Sequence, residues 1–249
     1  MSKARTMAAQ ALALRADQGQ PLALWWRDDD AVQPSEPLDR LLQMTAEAGA
    51  DLTLAVIPAP WDGPRTGRAL AARLDDQPHV RVAVHGWSHQ NHAAPGAKSQ
   101  ELAAHRPLPQ MRDQLRDGLA LLQDLHGPRA LPLLVPPWNR IAPDLLPHLA
   151  RDGFAALSTF GPETPVPGLA IVNTQLDVID WHGGRSLRDP DALWRDLAQL
   201  AGSGRAHVGL LTHHLVHDAA IWDFLQDVIA LAAQNGGQWR SVADLMEKP

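Results

Sequence analysis

The chain of 249 residues contains no cysteine and no tyrosine. Without thiols there is no disulfide, no thiolate nucleophile and no iron–sulfur cluster, and any metal must take histidine or carboxylate ligands. Long apolar runs are also missing. Nowhere do about 18 consecutive apolar residues occur, which excludes a membrane-spanning helix. Residues 1–20 lack the unbroken apolar core of a signal peptide, because Gln10 and Arg15 interrupt it. That stretch reads as an amphipathic N-terminal helical extension, and the expected location is the cytoplasm. Basic excess is absent too: 22 Lys+Arg stand against 28 Asp+Glu, a formal net charge of −6, so no nucleic-acid partner is indicated. The first apolar run is followed by Arg27-Asp28-Asp29-Asp30 rather than a glycine-rich loop. An acidic triplet repels phosphate, which disfavours a nucleotide site.

What is present is a rhythm of short apolar runs alternating with segments of helical period, punctuated by Gly, Pro, Asp and Asn. The runs predict strands at Leu22–Trp26, Leu52–Ile57, Val80–His85, Leu131–Val135, Phe154–Ser158, Leu169–Asn173 and His207–Thr212, with a weaker one near Gln238–Val242. Helices are predicted over Pro37–Gly49, Pro109–His126, Asp189–Leu200 and Asp218–Asn235. Runs such as LTLAV and LPLLV are apolar on both faces, as strands of a parallel sheet covered by helices must be. Seven or eight such strands without a composition break predict one α/β domain with the strand count of a (β/α) barrel, a pattern an open doubly wound sheet would share.

The polar clusters fall at the C-terminal ends of the predicted strands: RDDD after the first, HGWSHQNH after the third, PPWNR after the fourth, DVIDWH after the sixth and THHLVHD at the seventh. In a barrel those ends converge on one face. His85 and His89 are four residues apart, a spacing that lets a tight turn aim both imidazoles at one metal ion, although two capping histidines would share it. His92 is a substitute ligand three residues further on. Asp28, Asp29 and Asp30 repel one another unless a cation or proton is shared, and adjacent carboxylates can divide the work of metal ligand and proton acceptor; an N-cap cluster is the plainer reading. Trp61 and Trp87 lie on loops at the same face, where an indole stacks on a sugar ring or simply packs.

In this order the clusters resemble the polysaccharide deacetylase family, metal-dependent carbohydrate esterases with an irregular (β/α)7 barrel. RDDD-Ala31 resembles the first motif, HGWSH the second, Val135-Pro136-Pro137-Trp138-Asn139 the third, DVIDW the fourth and Leu211-Thr212-His213 the fifth, together spanning residues 27 to 214. The resemblance implies a metal-activated water that removes an acetyl group from an N-acetylated or O-acetylated sugar or a related small acylamide. It makes Asp30, His85 and His89 ligands of one divalent metal, zinc first, with cobalt, nickel, iron or manganese also suited. It makes Asp29 the catalytic base, and His213, chosen over His214 by motif spacing, the acid held protonated by Asp180. It places Pro137, Trp138 and Asn139 at the oxyanion, with Trp181 as a pocket wall. One departure stands out: an arginine that orients the base usually opens the third motif, and Val135 occupies that place. Arg27, Arg140 or Arg185 could supply the charge. The alternative that this departure supports is a barrel that binds metal and carbohydrate without turnover.

Overall fold

The first strand is longer than its apolar run. The computed structural model describes residues 2–247, and in it β1 runs Ala23–Ala31, carrying the whole acidic triplet in extended backbone. The rest of the sheet is β2 (Leu52–Val56), β3 (Val80–Val84), β4 (Ala130–Leu134), β5 (Ala156–Leu157), β6 (Ala170–Ile171), β7 (Leu176–Asp177), β8 (His207–Thr212) and β9 (Gln238–Trp239). All pairings are parallel, in the order β6-β5-β4-β3-β2-β1-β8-β7. The two ends of this order are neighbours in the chain. Between β6 and β7 the backbone keeps pairing, Thr174 N–H donating to Thr159 C=O and Gln175 N–H to Gly209 C=O. One kinked stave thus bridges β5 and β8 and closes an irregular (β/α)7 barrel, a single domain. The short β9 pairs with Ala23 and Leu24 on β1, below the point where β2 begins at Trp26.

Helices α1 (Lys3–Asp17), α2 (Glu36–Glu47), α3 (Arg68–Leu74), α4 (Leu108–His126), α5 (Pro190–Gly202), α6 (Ala219–Gln234) and α7 (Val242–Met246) complete the chain. Their starts follow the sequence punctuation: Ser35, Asp189 and Asp218 each accept a backbone N–H from the first turn. The N-terminal helix is built into the wall. Ala4, Ala8 and Leu12 are buried in the main core, and Arg15 Nη1 donates to the Arg205 carbonyl at 2.7 Å. No helix among the described residues is long and apolar enough to cross a membrane.

Strand alternation divides the core in two. Inside the barrel lie Trp25, Ala55, Ala83, Leu133, Val135, Ala156 and Val172, plugged from below by Val242 and Leu245 of α7. The small residues make room for one indole. At Gly209 a Cβ would fall 2.4 Å from Trp25 Nε1, so β8 passes this ring only with a bare backbone. Outside, Leu24 and Trp26 join the helix-facing cluster.

Candidate active site

The same alternation sorts the acidic cluster. Trp25 points into the barrel, and Arg27 and Asp29 follow on that side, whereas Trp26 and Asp28 face the helices. Asp28, expected at the site, lies fully buried on the outer side. It accepts hydrogen bonds from Thr212 Oγ1 at 2.6 Å and from His214 Nδ1 at 2.5 Å. Burial works against its ionisation, but the His214 charge and these two bonds prevail and hold it below the ordinary carboxylate range. His214 therefore also belongs behind the sheet; burial disfavours its charge, yet Asp28 raises it above the usual imidazole range.

Strict alternation would send Asp30 outward as well. It does not, because β1 carries one extra residue against β2: Asp28 pairs with Leu54 and Ala31 with Val56. The bulge turns Asp30 into left-handed backbone, φ 73°, and brings two successive carboxylates to one mouth.

Asp30 Oδ1 lies 3.1 Å from His85 Nε2 and 3.2 Å from His89 Nε2. Among the described residues these three form the one group of ligand atoms, all within 4.8 Å of one another, suited to a metal ion. His85 follows β3 on its inner side, and its Nδ1 is 2.9 Å from the Val135 carbonyl. Donation there assigns the proton to Nδ1 and leaves Nε2 as a lone-pair donor, the arrangement metal-binding histidines require. One carboxylate oxygen and two imidazole nitrogens, with no cationic side chain in the group, fit a divalent ion. Despite burial, Asp30 sits well below the ordinary carboxylate range, held there mainly by hydrogen bonding and charge from a protonated His85, a role a cation on the same Nε2 would take over. Burial and the neighbouring His85 push His89 down.

A tight turn presents His89. Gly86 and His89 both have positive φ, 59° and 54°, and the buried carboxylate of Glu101 accepts three successive backbone N–H groups: Trp87 at 3.0 Å, Ser88 at 2.9 Å and His89 at 3.0 Å. Burial raises the Glu101 carboxyl against the pull of those bonds. The Trp138 ring packs on the His89 ring with centroids 4.2 Å apart. Trp138 and Asn139 both adopt left-handed backbone, φ 54° and 57°, turning the segment after β4 across the mouth.

Asp29 stands beside the ligand group without joining it. Arg27, two residues back on the same strand face, spans both of its oxygens: Nη2 donates to Oδ2 at 3.0 Å, and Nε stands 2.9 Å from Oδ1 in ion-pair contact without the alignment of a hydrogen bond. Further bonds run from Arg27 to Ser158 Oγ at 2.8 Å and Asn139 Oδ1 at 2.6 Å. Of the three arginines considered from sequence, Arg27 makes the pair. Arg140 donates to the Ser99 carbonyl and Arg185 lies over Trp181.

On the opposite side, His213 Nε2 is 3.9 Å from Asp29 Oδ2, and the Trp181 ring meets the imidazole edge-on at 4.7 Å. Of the two aspartates in DVIDW, Asp177 is the one that feels the His213 charge, as Asp30 also does. Asp180 Oδ1 instead accepts the N–H groups of His182 and Gly183, capping the turn that follows. Asp177 is largely buried, which raises its carboxyl, and it accepts from Ile179 N–H at 3.0 Å and Trp181 Nε1 at 2.8 Å. In DVIDW the first aspartate faces the site because it ends β7; the second has already entered the loop.

Other expected residues sit elsewhere. His92 is outside the ligand group, its N–H bonded to the Gln100 carbonyl. Trp87 carries the Arg65 guanidinium on its ring, and Pro137 packs against Gly86. Glu101 and Asp177 were missed in the sequence. For Asp177, a position at the end of a strand rather than beyond it was the available signal; for Glu101, in a loop of mixed polarity, there was none.

No protein-family model matches the sequence, and no curated protein matches it either. Solved structures do match. The family 4 acetyl xylan esterase from Clostridium thermocellum, determined with a cobalt ion, is 16% identical over 90% of this chain and 89% of its own, with a TM-score of 0.57. The Bc1960 peptidoglycan N-acetylglucosamine deacetylase is 16% identical over 95% and 98%, at 0.62. Peptidoglycan deacetylase PdaC from Bacillus subtilis is 17% identical over 91% and 90%, at 0.57. Likeness at this level of identity concerns architecture. The chain has the fold of the polysaccharide deacetylases and family 4 carbohydrate esterases.

Proposed function

We propose that the protein is a metal-dependent hydrolase that removes an acetyl group from an N-acetylated or O-acetylated sugar or a related small acylamide. The observation that carries this reading is one barrel mouth holding both a three-ligand group, Asp30, His85 and His89, and a separate carboxylate, Asp29, paired with Arg27. A divalent cation there, zinc first and otherwise cobalt, nickel, iron or manganese, would supply Lewis acidity to a bound water and to the acyl carbonyl. A saccharide substrate is supported by what the neighbouring structures are named for, acetyl xylan and peptidoglycan.

Asp29 takes the proton from the attacking water. Arg27 bonds to Oδ2 and sets its charge beside Oδ1, which accepts no hydrogen bond and keeps its lone pairs for a proton, so the carboxylate is fixed before substrate arrives. The backbone N–H of Trp138 donates to the developing oxyanion. His213 gives its proton to the departing nitrogen or oxygen, with Asp177 stabilising the imidazolium and Trp181 limiting its rotation. The inert-binder reading leaned on Val135 in the place of an arginine, and Arg27 removes that support.

The test is elemental analysis of the purified protein beside a His85→Ala/His89→Ala variant, with acetate release assayed on a panel of N-acetylated sugars. About one metal ion per chain, lost in the variant, together with acetate release is the expected result. A wild type that takes up neither zinc, cobalt nor nickel sinks the reading.

A further inference from the structure

Glu101 lies 12 residues beyond His89 and touches no reacting group. Its surroundings are nevertheless specific. The side chain is fully buried, with Oε1 receiving the amides of Trp87 and Ser88 and Oε2 the amide of His89. Three successive N–H groups converging on one anion form a nest. Its backbone is anchored independently of the turn it holds: Arg106 Nη1 donates to the Glu101 carbonyl at 3.1 Å, and Leu102 forms a bridge with Ile141. Gly86 closes the remaining space. A Cβ there would lie 2.4 Å from Glu101 Oε2 and 2.6 Å from Pro137 Cδ, so the turn is drawn onto the carboxylate as far as a bare backbone allows.

We infer that Glu101 is the positioning residue of the metal centre, a buried anion that fixes the 85–89 turn so that His89 meets Asp30 and His85. This rests on the metal-dependent reading above. An imidazole reached through two left-handed residues has little intrinsic preference for its position; the Trp138 ring packs on one face of His89, and the Ala59 and Trp61 amides hold the carbonyls of Trp87 and Ser88, but Glu101 is the side chain that binds the amide of His89 itself. A carboxylate is the side chain the nest requires. Glutamine offers one acceptor oxygen, so whichever way its amide turns, an NH2 group meets at least one backbone N–H head-on.

The experiment is a Co2+ titration of metal-free wild type, Glu101→Gln and Glu101→Asp, followed through the visible d–d absorption, with thermal unfolding of each metal-free protein alongside. Losing an outer partner of a metal ligand typically weakens metal binding by about 10–100-fold. Glu101→Gln is expected to fall in that range with an altered d–d band, while the metal-free protein melts within a few degrees of wild type. Should Glu101→Gln fail to fold, Glu101→Asp carries the test: it keeps the charge, withdraws it by one methylene, and is expected to weaken Co2+ binding with a perturbed band. Unchanged affinity and spectrum in a folded variant overturn the inference alone. So does loss of the native fold in both variants, which would make Glu101 a residue of the fold rather than of the site. Absence of Co2+ binding in the wild type overturns the metal-dependent reading, and the inference with it.

Discussion

Replacing Arg27 with methionine tests how this barrel compensates the carboxylate beside its ligand group. The methionine stem fills most of the space but removes the pairing with Asp29 and the bonds to Ser158 and Asn139. Arg27 and Asp29 are 0% and 2% exposed, so water cannot replace what is lost. Breaking a buried pair from one side leaves an uncompensated charge and costs about 3–5 kcal/mol. At about 2–4 °C per kcal/mol for a chain of this size, the melting temperature should fall by roughly 6–20 °C. Adding Asp29→Asn in the same background removes the lone charge and should recover most of that loss, a double-mutant cycle with strong coupling. Arg27→Lys separates charge from geometry: one ammonium keeps the charge but reaches fewer of the partner atoms on Asp29, Asn139, Ser158 and Thr159. It should melt nearer to wild type yet release acetate about 100-fold more slowly, within the range general-base catalysis contributes. Circular dichroism melts and an acetate assay read both quantities. An Arg27→Met protein that melts within about 2 °C of wild type, a shift worth no more than about 1 kcal/mol, would refute the argument.

Three further outcomes follow from the geometry. Asp29→Asn should bind Co2+ as wild type does and lose turnover by about 10²–10⁴-fold; weakened metal binding would instead place Asp29 among the ligands. Asp177→Asn should slow acetate release by about tenfold or more, whereas Asp180→Asn, which alters only a turn cap, should stay within about threefold; the reverse order would return the orienting role to Asp180. Acid should destabilise the fold between about pH 6.5 and 4. His126 and His217 have both ring nitrogens buried without a partner, and burial holds each near 4. Unfolded histidine takes up its proton near 6.5. The unfolded chain therefore binds more protons across that window, and stability falls as pH drops, by at most about 3 kcal/mol for each histidine. Urea midpoints at pH 6.5 and 4.5 measure the slope, which should flatten in His126→Leu.

Residues that act at the end of a predicted strand were legible in the sequence, and residues that act through a backbone exception were not. His85 and Asp29 project inward by simple alternation once β3 and β1 are recognised, and His89 follows from the spacing of a turn. Asp30 faces the mouth only because of a bulge, and no residue type in DDD announces which carboxylate takes the left-handed position. Asp28 lies behind the sheet with His214 by the ordinary alternation that holds up to the bulge. The split stave that carries β6 and β7 is a kink between two short pairings, so the sixth run ends at Asn173 in the pattern and leaves Asp177 outside any predicted strand. Glu101 is a matter of tertiary meeting: its role depends on three backbone amides from a segment 12 to 14 residues away, and amides have no identity in a sequence.

Arg27 and Asp29 are separated by a single residue, and this has a consequence for how the mouth can move. A counter-charge delivered from another strand would be a hostage to loop motion: any opening of the barrel lip would pull the pair apart and leave the carboxylate bare at the moment a bulky ligand entered. Here both groups ride on one segment. A displacement of the segments after β4 and β5 would cost Arg27 its contacts to Asn139 and Ser158, whereas its pairing with Asp29 would stay on the strand that bears both. The pairing of this carboxylate is thereby uncoupled from the neighbouring strands, and Val135, just past β4, is free to lend its carbonyl to His85 and its side chain to the barrel's interior.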